Sequence, residues 1–150
     1  MTHWIIRVKD GVNFRNSVYP IWGVKRNSKK SVTNMKPGDI LWFCTSKPSG
    51  GKFIGMGEYC RFYDRNDEPL LHINTKTNEE LGWNGNEFWD IHIHYSNLYI
   101  TEKQNIHVCI SQHGNIFEYE KFKHIISDDL YKHYNMYKFY CEPKIFISVF

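Results

Sequence analysis

The chain has 150 residues, enough for one domain with one hydrophobic core, and a formal net charge of +3. A content of 41% hydrophobic, 23% charged and 17% aromatic residues excludes a disordered or collagen-like chain. No apolar run approaches the ~20 residues of a membrane span, and Met1 to Arg7 lacks the apolar stretch of a signal peptide, so an intracellular protein (cytoplasm or nucleus) without membrane contact is expected.

In chain order, Trp4 to Val8 reads as a short buried strand. Lys9 to Ser17 is polar and reads as a loop with room for a short helix. Ile21-Trp22-Gly23-Val24 is a second apolar run, and the basic stretch Lys25 to Asn34 is a loop or weak helix. Met35-Lys36-Pro37-Gly38-Asp39 is a turn, with Pro and Gly at the two central positions of type II. Ile40 to Cys44 and Lys52 to Tyr59 flank a Ser/Pro/Gly loop and form a hairpin. Gly55 and Gly57 share a face of its second strand, where glycine often marks a bulge or a close approach.

Residues 64–87 are polar and form a long connection with little core of its own, a length common in functional loops. Asp90 to Ile100 alternates as a half-buried strand, with Ile91, Ile93, Tyr95 and Tyr99 on the inner face and His92, His94 and Ser96 outside. Asn105 to Ile110 reads as another short strand. Tyr119, Phe122, Ile126, Leu130 and Tyr134 recur at helical spacing, and Lys144 to Phe150 closes the chain as a strand. The expected fold class is α+β: a small curled β-barrel of about six short strands with helices outside, in one domain over 1–150.

Charge is uneven along this order. Residues 1–60 carry ten Lys/Arg against three Asp/Glu, and residues 61–150 carry nine against thirteen. A basic first portion fits either an anion-facing side or a solvated lysine-rich surface. The chain has no alanine but 16 Ile, 14 Lys and 13 Asn, the usage of an AT-rich genome, so its polar-aromatic composition is a weak pointer to nucleic acid. Cys44, Cys60, Cys109 and Cys141 lie far apart, as expected for reduced, buried thiols.

Catalytic motifs are missing: there is no GxSxG, P-loop, HExxH or GxGxxG. Cys109 lies near His107 and His113, but alternation gives no reason for a dyad. His92 and His94 lie about 7 Å apart on one strand face. That pair either starts a metal site with His72, His107 or Cys109, or is simply solvent-facing; the latter is expected, with no cofactor or metal. Among five tryptophans, Trp4 and Trp42 belong to strand cores. Trp22 sits at a strand end and Trp83 in a Gly/Asn loop, where an indole either stacks a planar base or folds back over a satellite core.

The succession of these signals resembles the EVE and YTH domains of the PUA-like superfamily. It runs from strand Trp4–Val8 through Asp10 and Asn13, Ile21-Trp22-Gly23-Val24 with Lys25-Arg26-Asn27, Met35-Lys36-Pro37-Gly38-Asp39, and Lys52-Phe53-Ile54-Gly55-Met56-Gly57-Glu58 to Glu87-Phe88-Trp89-Asp90-Ile91-His92-Ile93. The resemblance covers about residues 3–123. It implies a curled β-barrel that holds one modified base, of the N6-methyladenine or 5-methylcytosine type, in an aromatic cage. On this resemblance Trp22 is the first cage wall and Gly23 presents its carbonyl to the base. Asp10 and Asn13 bond the base edge, and Lys25, Arg26, Asn27, Ser46 and Lys47 contact phosphates. The loop before Phe88 departs from both families; Trp83 is assigned as the second wall. Residues 124–150 match neither family and form a C-terminal extension.

Modified RNA or DNA is therefore the expected partner, and no enzymatic activity is expected. Two other readings stay open. The same barrel could act on a small nucleoside, with Lys9 or Lys25 and Asp10 or Glu58 as an acid/base pair. The aromatic segment 117–140 could instead bind a protein partner.

Overall fold

The computed structural model describes residues 1–66, 77–101 and 116–118. The expected strand at 105–110, the helical stripe after Glu118 and the closing strand at 144–150 lie outside the described residues, as do Cys109, Cys141 and the 124–150 extension.

The elements are β1 (His3–Arg7), α1 (Val12–Asn16), β2 (Ile21–Val24), α2 (Lys29–Thr33), β3 (Ile40–Cys44), β4 (Phe53–Asp64), β5 (Ile91–Ile100) and the three-residue β6 (Ile116–Glu118). They form one mixed sheet in the order β2-β5-β4-β3-β1-β6. β1 runs parallel to β3; every other neighbouring pair is antiparallel. The helices are single short turns outside the sheet, so the fold is a curled α+β half-barrel with few helices.

The curl follows from β4. This 12-residue strand pairs with both β3 and β5, and its register with β5 shifts between Met56 and Glu58 and again between Tyr59 and Arg61. Each shift adds local twist and bends the strand. Gly55 and Gly57 lie where large rings cross it. A Cβ at Gly55 would sit 2.9 Å from the Phe14 ring, and one at Gly57 2.8 Å from the Tyr95 ring. The close-approach expectation for these glycines is met.

The predicted turn also forms. Gly38 has φ 91°, and the Asp39 N–H bonds the Lys36 carbonyl at 2.9 Å. The turn delivers the Asp39 carboxylate to a buried place, where it accepts the Trp4 Nε1–H at 2.9 Å and the backbone N–H groups of Lys36 at 2.9 Å and Thr2 at 3.0 Å. Trp42, Phe43, Ile5, Ile6, Leu41 and Phe53 are fully enclosed, so Trp4 and Trp42 are core as expected. Cys44 is a buried thiol whose pKa burial pushes up to about 12, which keeps it protonated and inert.

Two expectations change. β5 is not half-buried over its first part: His92 on the outer face is as enclosed as Ile91 and Ile93 on the inner one. The reason is the segment 77–90, which is no coreless loop. Leu81 and Trp83 are buried, and Trp83 lies edge-on to the His92 ring at 5.4 Å. The histidines are thus covered rather than solvent-facing: His94 meets the Tyr63 ring at 4.7 Å. Among the described residues no group of three His, Cys, Asp or Glu side chains could hold a metal.

Candidate functional site

The site forms where β1, β2 and the 77–90 segment meet. β2 pairs with β5 so that Gly23 faces His92 and Val24 faces Ile91. That register lays Trp89 and Asp90, just ahead of β5, beside Gly23 and Lys25. Gly23 is required here. A Cβ on it would lie 2.4 Å from Cη2 and 2.5 Å from Cζ3 of Trp83, and 3.0 Å from the Trp89 Cβ. The missing side chain lets the edge of the Trp83 ring pack against β2.

Trp83 is held from several sides. Its Nε1–H donates to Ser17 Oγ at 2.8 Å, and Ser17 in turn donates to the Ile21 carbonyl at 2.7 Å. Its ring meets Trp22 and Trp89 edge-on, both at 5.9 Å. Gly82 before it has φ 84° and packs so tightly on α1 that a Cβ would fall 2.2 Å from the Asn16 carbonyl oxygen. Trp83 belongs to the main hydrophobic core behind the site rather than to its lining.

In front of it opens a cavity of about 100 Å³, lined by Arg7, Val8, Lys9, Asp10, Asn13, Trp22, Gly23, Val24, Lys25, Ser28 and Trp89. One water needs only ~10–15 Å³ on this measure, so the space holds a group larger than a single water. The two indoles lining it are Trp22 and Trp89. Trp22 is also braced by Phe14, edge-on at 5.6 Å, and its Nε1 is buried with no partner among the described residues.

Asp10 lines the cavity and forms an Asx turn through Oδ1, which accepts the Val12 N–H at 3.0 Å. Asn13 also lines it, but both ends of its amide are engaged by Asn84: Nδ2 donates to the Asn84 carbonyl at 3.0 Å and Oδ1 accepts the Asn84 N–H at 2.8 Å. Asn13 therefore ties α1 to the 77–90 segment. At the mouth, Glu87 joins Lys9 (Oε2, 3.0 Å) and Lys25 (Oε1, 2.9 Å), and these two ammonium groups hold its carboxyl below its ordinary range. A shallower groove continues past Trp89 over Lys9, Asp10, Asn13, Ser46, Ser49, Asn84 and Glu87.

The other residues named from the sequence fall into three places. Lys25 is on the cavity rim and Ser46 on the groove; Asn27 and Lys47 line neither. Arg26 points elsewhere, into a paired contact with Asp64 at 2.6 Å through both guanidinium nitrogens, and Lys29 joins it at 2.8 Å. Those cations hold the buried Asp64 carboxyl far below the carboxylate range. Of the acid/base candidates, Lys9 and Lys25 pair with Glu87, and Glu58 sits on β4 opposite Ile40 and Ser96, off the cavity.

His92 couples this site to the sheet. Arg65 approaches its Nε2 at 2.9 Å, and the ring hydrogen-bonds the Trp89 backbone. Burial, and then the Arg65 charge, lower its pKa to about 4, so the neutral ring anchors the loop that carries Trp89.

No protein-family model matches the chain, and no curated protein matches it. Solved structures give distant likenesses. A Rhodopseudomonas palustris protein solved by NMR has 16% identity and TM-score 0.37, covering 66% of this chain and 63% of its own. A Pseudomonas putida protein of known crystal structure has 14% identity and TM-score 0.33, covering 61% and 64%. The alignment thus spans less than two thirds of either protein. The YTH domain of the Zygosaccharomyces rouxii MRB1 protein, crystallised with N6-methyladenosine RNA, has 10% identity and TM-score 0.41, covering 85% and 88%. These likenesses are too distant to assign a family, and the site is read from its own geometry.

Trp89, which lines the cavity, is not among the site residues the sequence singles out, and Glu87 lies outside the cavity on the groove. Trp89 lies next to the strand that pairs with β2, and pairing β2 with β5 would have brought it to Gly23. Glu87 carries no local signal; its role exists only once Lys9 and Lys25 converge.

Proposed function

We propose that this chain is a non-enzymatic reader, PUA-like in character, that captures one modified base of RNA or of single-stranded or flipped DNA. The observation that supports this reading is the cavity lined by Trp22 and Trp89, with a carboxylate at its edge and lysines at its mouth. Trp22 and Trp89 flank a planar ring, Asp10 accepts from an exocyclic amine, and a basic rim meets the backbone. The motif order that resembles EVE and YTH domains supports the same reading and the base classes N6-methyladenine and 5-methylcytosine. A buried methyl is worth only ~1 kcal/mol by area, so selectivity depends on indoles that exclude water around it.

Trp89→Ala tests the wall. Trp89 is only partly buried, so the variant keeps its fold, checked by an unchanged circular dichroism spectrum. Its affinity for a methylated oligonucleotide is expected to fall about 5- to 150-fold, the ~1–3 kcal/mol of one stacked base, with loss of the preference for methyl. A folded Trp89→Ala protein that keeps the wild-type preference removes the cage as an explanation.

A further inference from the structure

We infer that Glu87 occupies the place of a backbone phosphate, and that a nucleic-acid strand enters the site by displacing its carboxylate from Lys9 and Lys25. This deepens the reader proposal and rests on it. Each Glu87 oxygen takes one ammonium group, at 3.0 Å from Lys9 and 2.9 Å from Lys25, much as two oxygens of one phosphate would. Both lysines line the cavity, and Glu87 lines the groove that continues from it, so the carboxylate stands on the path between the two. The side chains remain 72% exposed for Lys9, 43% for Lys25 and 39% for Glu87, so the exchange needs no unfolding and the pairs are worth little in stability. Glu87 is ionised throughout the neutral range because the lysines favour its charged form. It therefore neutralises the rim constantly, and an anion must compete with it. A free nucleoside, which has no phosphate, enters the cavity without that competition. The chemistry recognised is a base in the cavity with an adjoining phosphodiester between the two lysines and the next nucleotide over Ser46 and Ser49.

The test compares wild type and Glu87→Gln. The probes are free N6-methyladenosine, free 5-methylcytidine, and five-nucleotide RNAs carrying each at the centre, titrated at two salt concentrations. Glu87→Gln is expected to bind the RNAs about 3- to 10-fold more tightly at low salt. The slope of log affinity against log salt should steepen by about 0.7, one phosphate of a single strand. Nucleoside affinity should stay within about twofold of wild type. Unchanged or weaker RNA binding by Glu87→Gln, with nucleoside binding intact, overturns the displacement and leaves the base reader standing. Tighter RNA binding with no nucleoside binding and no preference for methyl keeps the displacement and overturns the cage. RNA binding by neither protein overturns both.

Discussion

Gly23→Ala is expected to lower stability by about 2–3 kcal/mol, at the upper end of the cost of adding one methyl to a packed interior. The new Cβ meets the far edge of the Trp83 ring at 2.4 and 2.5 Å. A flexible side chain would swing away, but Trp83 is 4% exposed. Trp22, Trp89 and His92 surround its ring, and Ser17 holds its Nε1. The clash therefore passes to Trp89, whose own Cβ is 3.0 Å from the new atom, and the cavity loses its second wall. Urea unfolding should show the loss, and oligonucleotide binding should weaken with it. The double variant Gly23→Ala, Trp83→Leu should be more stable than the sum of its singles by about 1 kcal/mol or more, because the smaller side chain removes the clash. Additive effects would show that the contact between Gly23 and Trp83 carries no strain.

Acid should destabilise the chain in a defined window. The folded-state pKa of His92 is about 4 and its ordinary value 6.5, so between these pH values the unfolded chain binds more protons. Stability is then complete above about pH 6.5 and declines as pH falls towards 4. The decline amounts to about 3 kcal/mol from His92, at 1.36 kcal/mol for each pH unit. His94, also lowered to about 4 by burial and by Arg61, acts in the same direction. Asp64 acts separately. Its carboxyl is held below the ordinary 3.8, so its contribution is intact above that value and is lost only in stronger acid. Melting temperatures followed from pH 7.5 to 4.5 should fall in wild type and fall less in His92→Gln, which keeps a neutral side chain. Equal slopes in the two proteins would contradict a buried neutral His92. Its contacts with Trp83 and the Trp89 backbone mean that binding should weaken over the same range.

Local chemistry carried the parts of this fold that the residues announced. Pro37-Gly38 sets a turn by its own dihedral preferences, and the apolar runs on either side of residues 46–51 had nowhere to go but a hairpin. Trp4 and Trp42 lay within strand runs and were core. Trp22 and Gly23 fall in the middle of β2, within the apolar run that the residues mark, and not at a strand end. Trp83 was harder. Its sequence neighbours are Gly and Asn, which look like solvent, and the surface that buries it belongs to β2, about 60 residues away. Nothing local says that Gly23 lacks a Cβ in order to receive it. His92 is hidden for the same reason: strand alternation places it outside, and the polar composition of residues 64–87 gives no sign of the buried Leu81 and Trp83 that cover it. Lys25 and Arg26 are neighbours with opposite fates, one at the cavity mouth and one bound to Asp64, because the short turn Arg26–Ser28 begins between them.

A fluorescence titration of the wild-type chain tests the cage most directly. The ligands are matched oligonucleotides, unmodified or carrying N6-methyladenine or 5-methylcytosine, as RNA and as single-stranded DNA, at two salt concentrations. Trp22 and Trp89 should be quenched on stacking. One modified form should bind more tightly than its unmodified match, and that ratio should survive the higher salt. Equal binding to every oligonucleotide, weakening together with salt, would contradict the cage and leave only the basic rim at work.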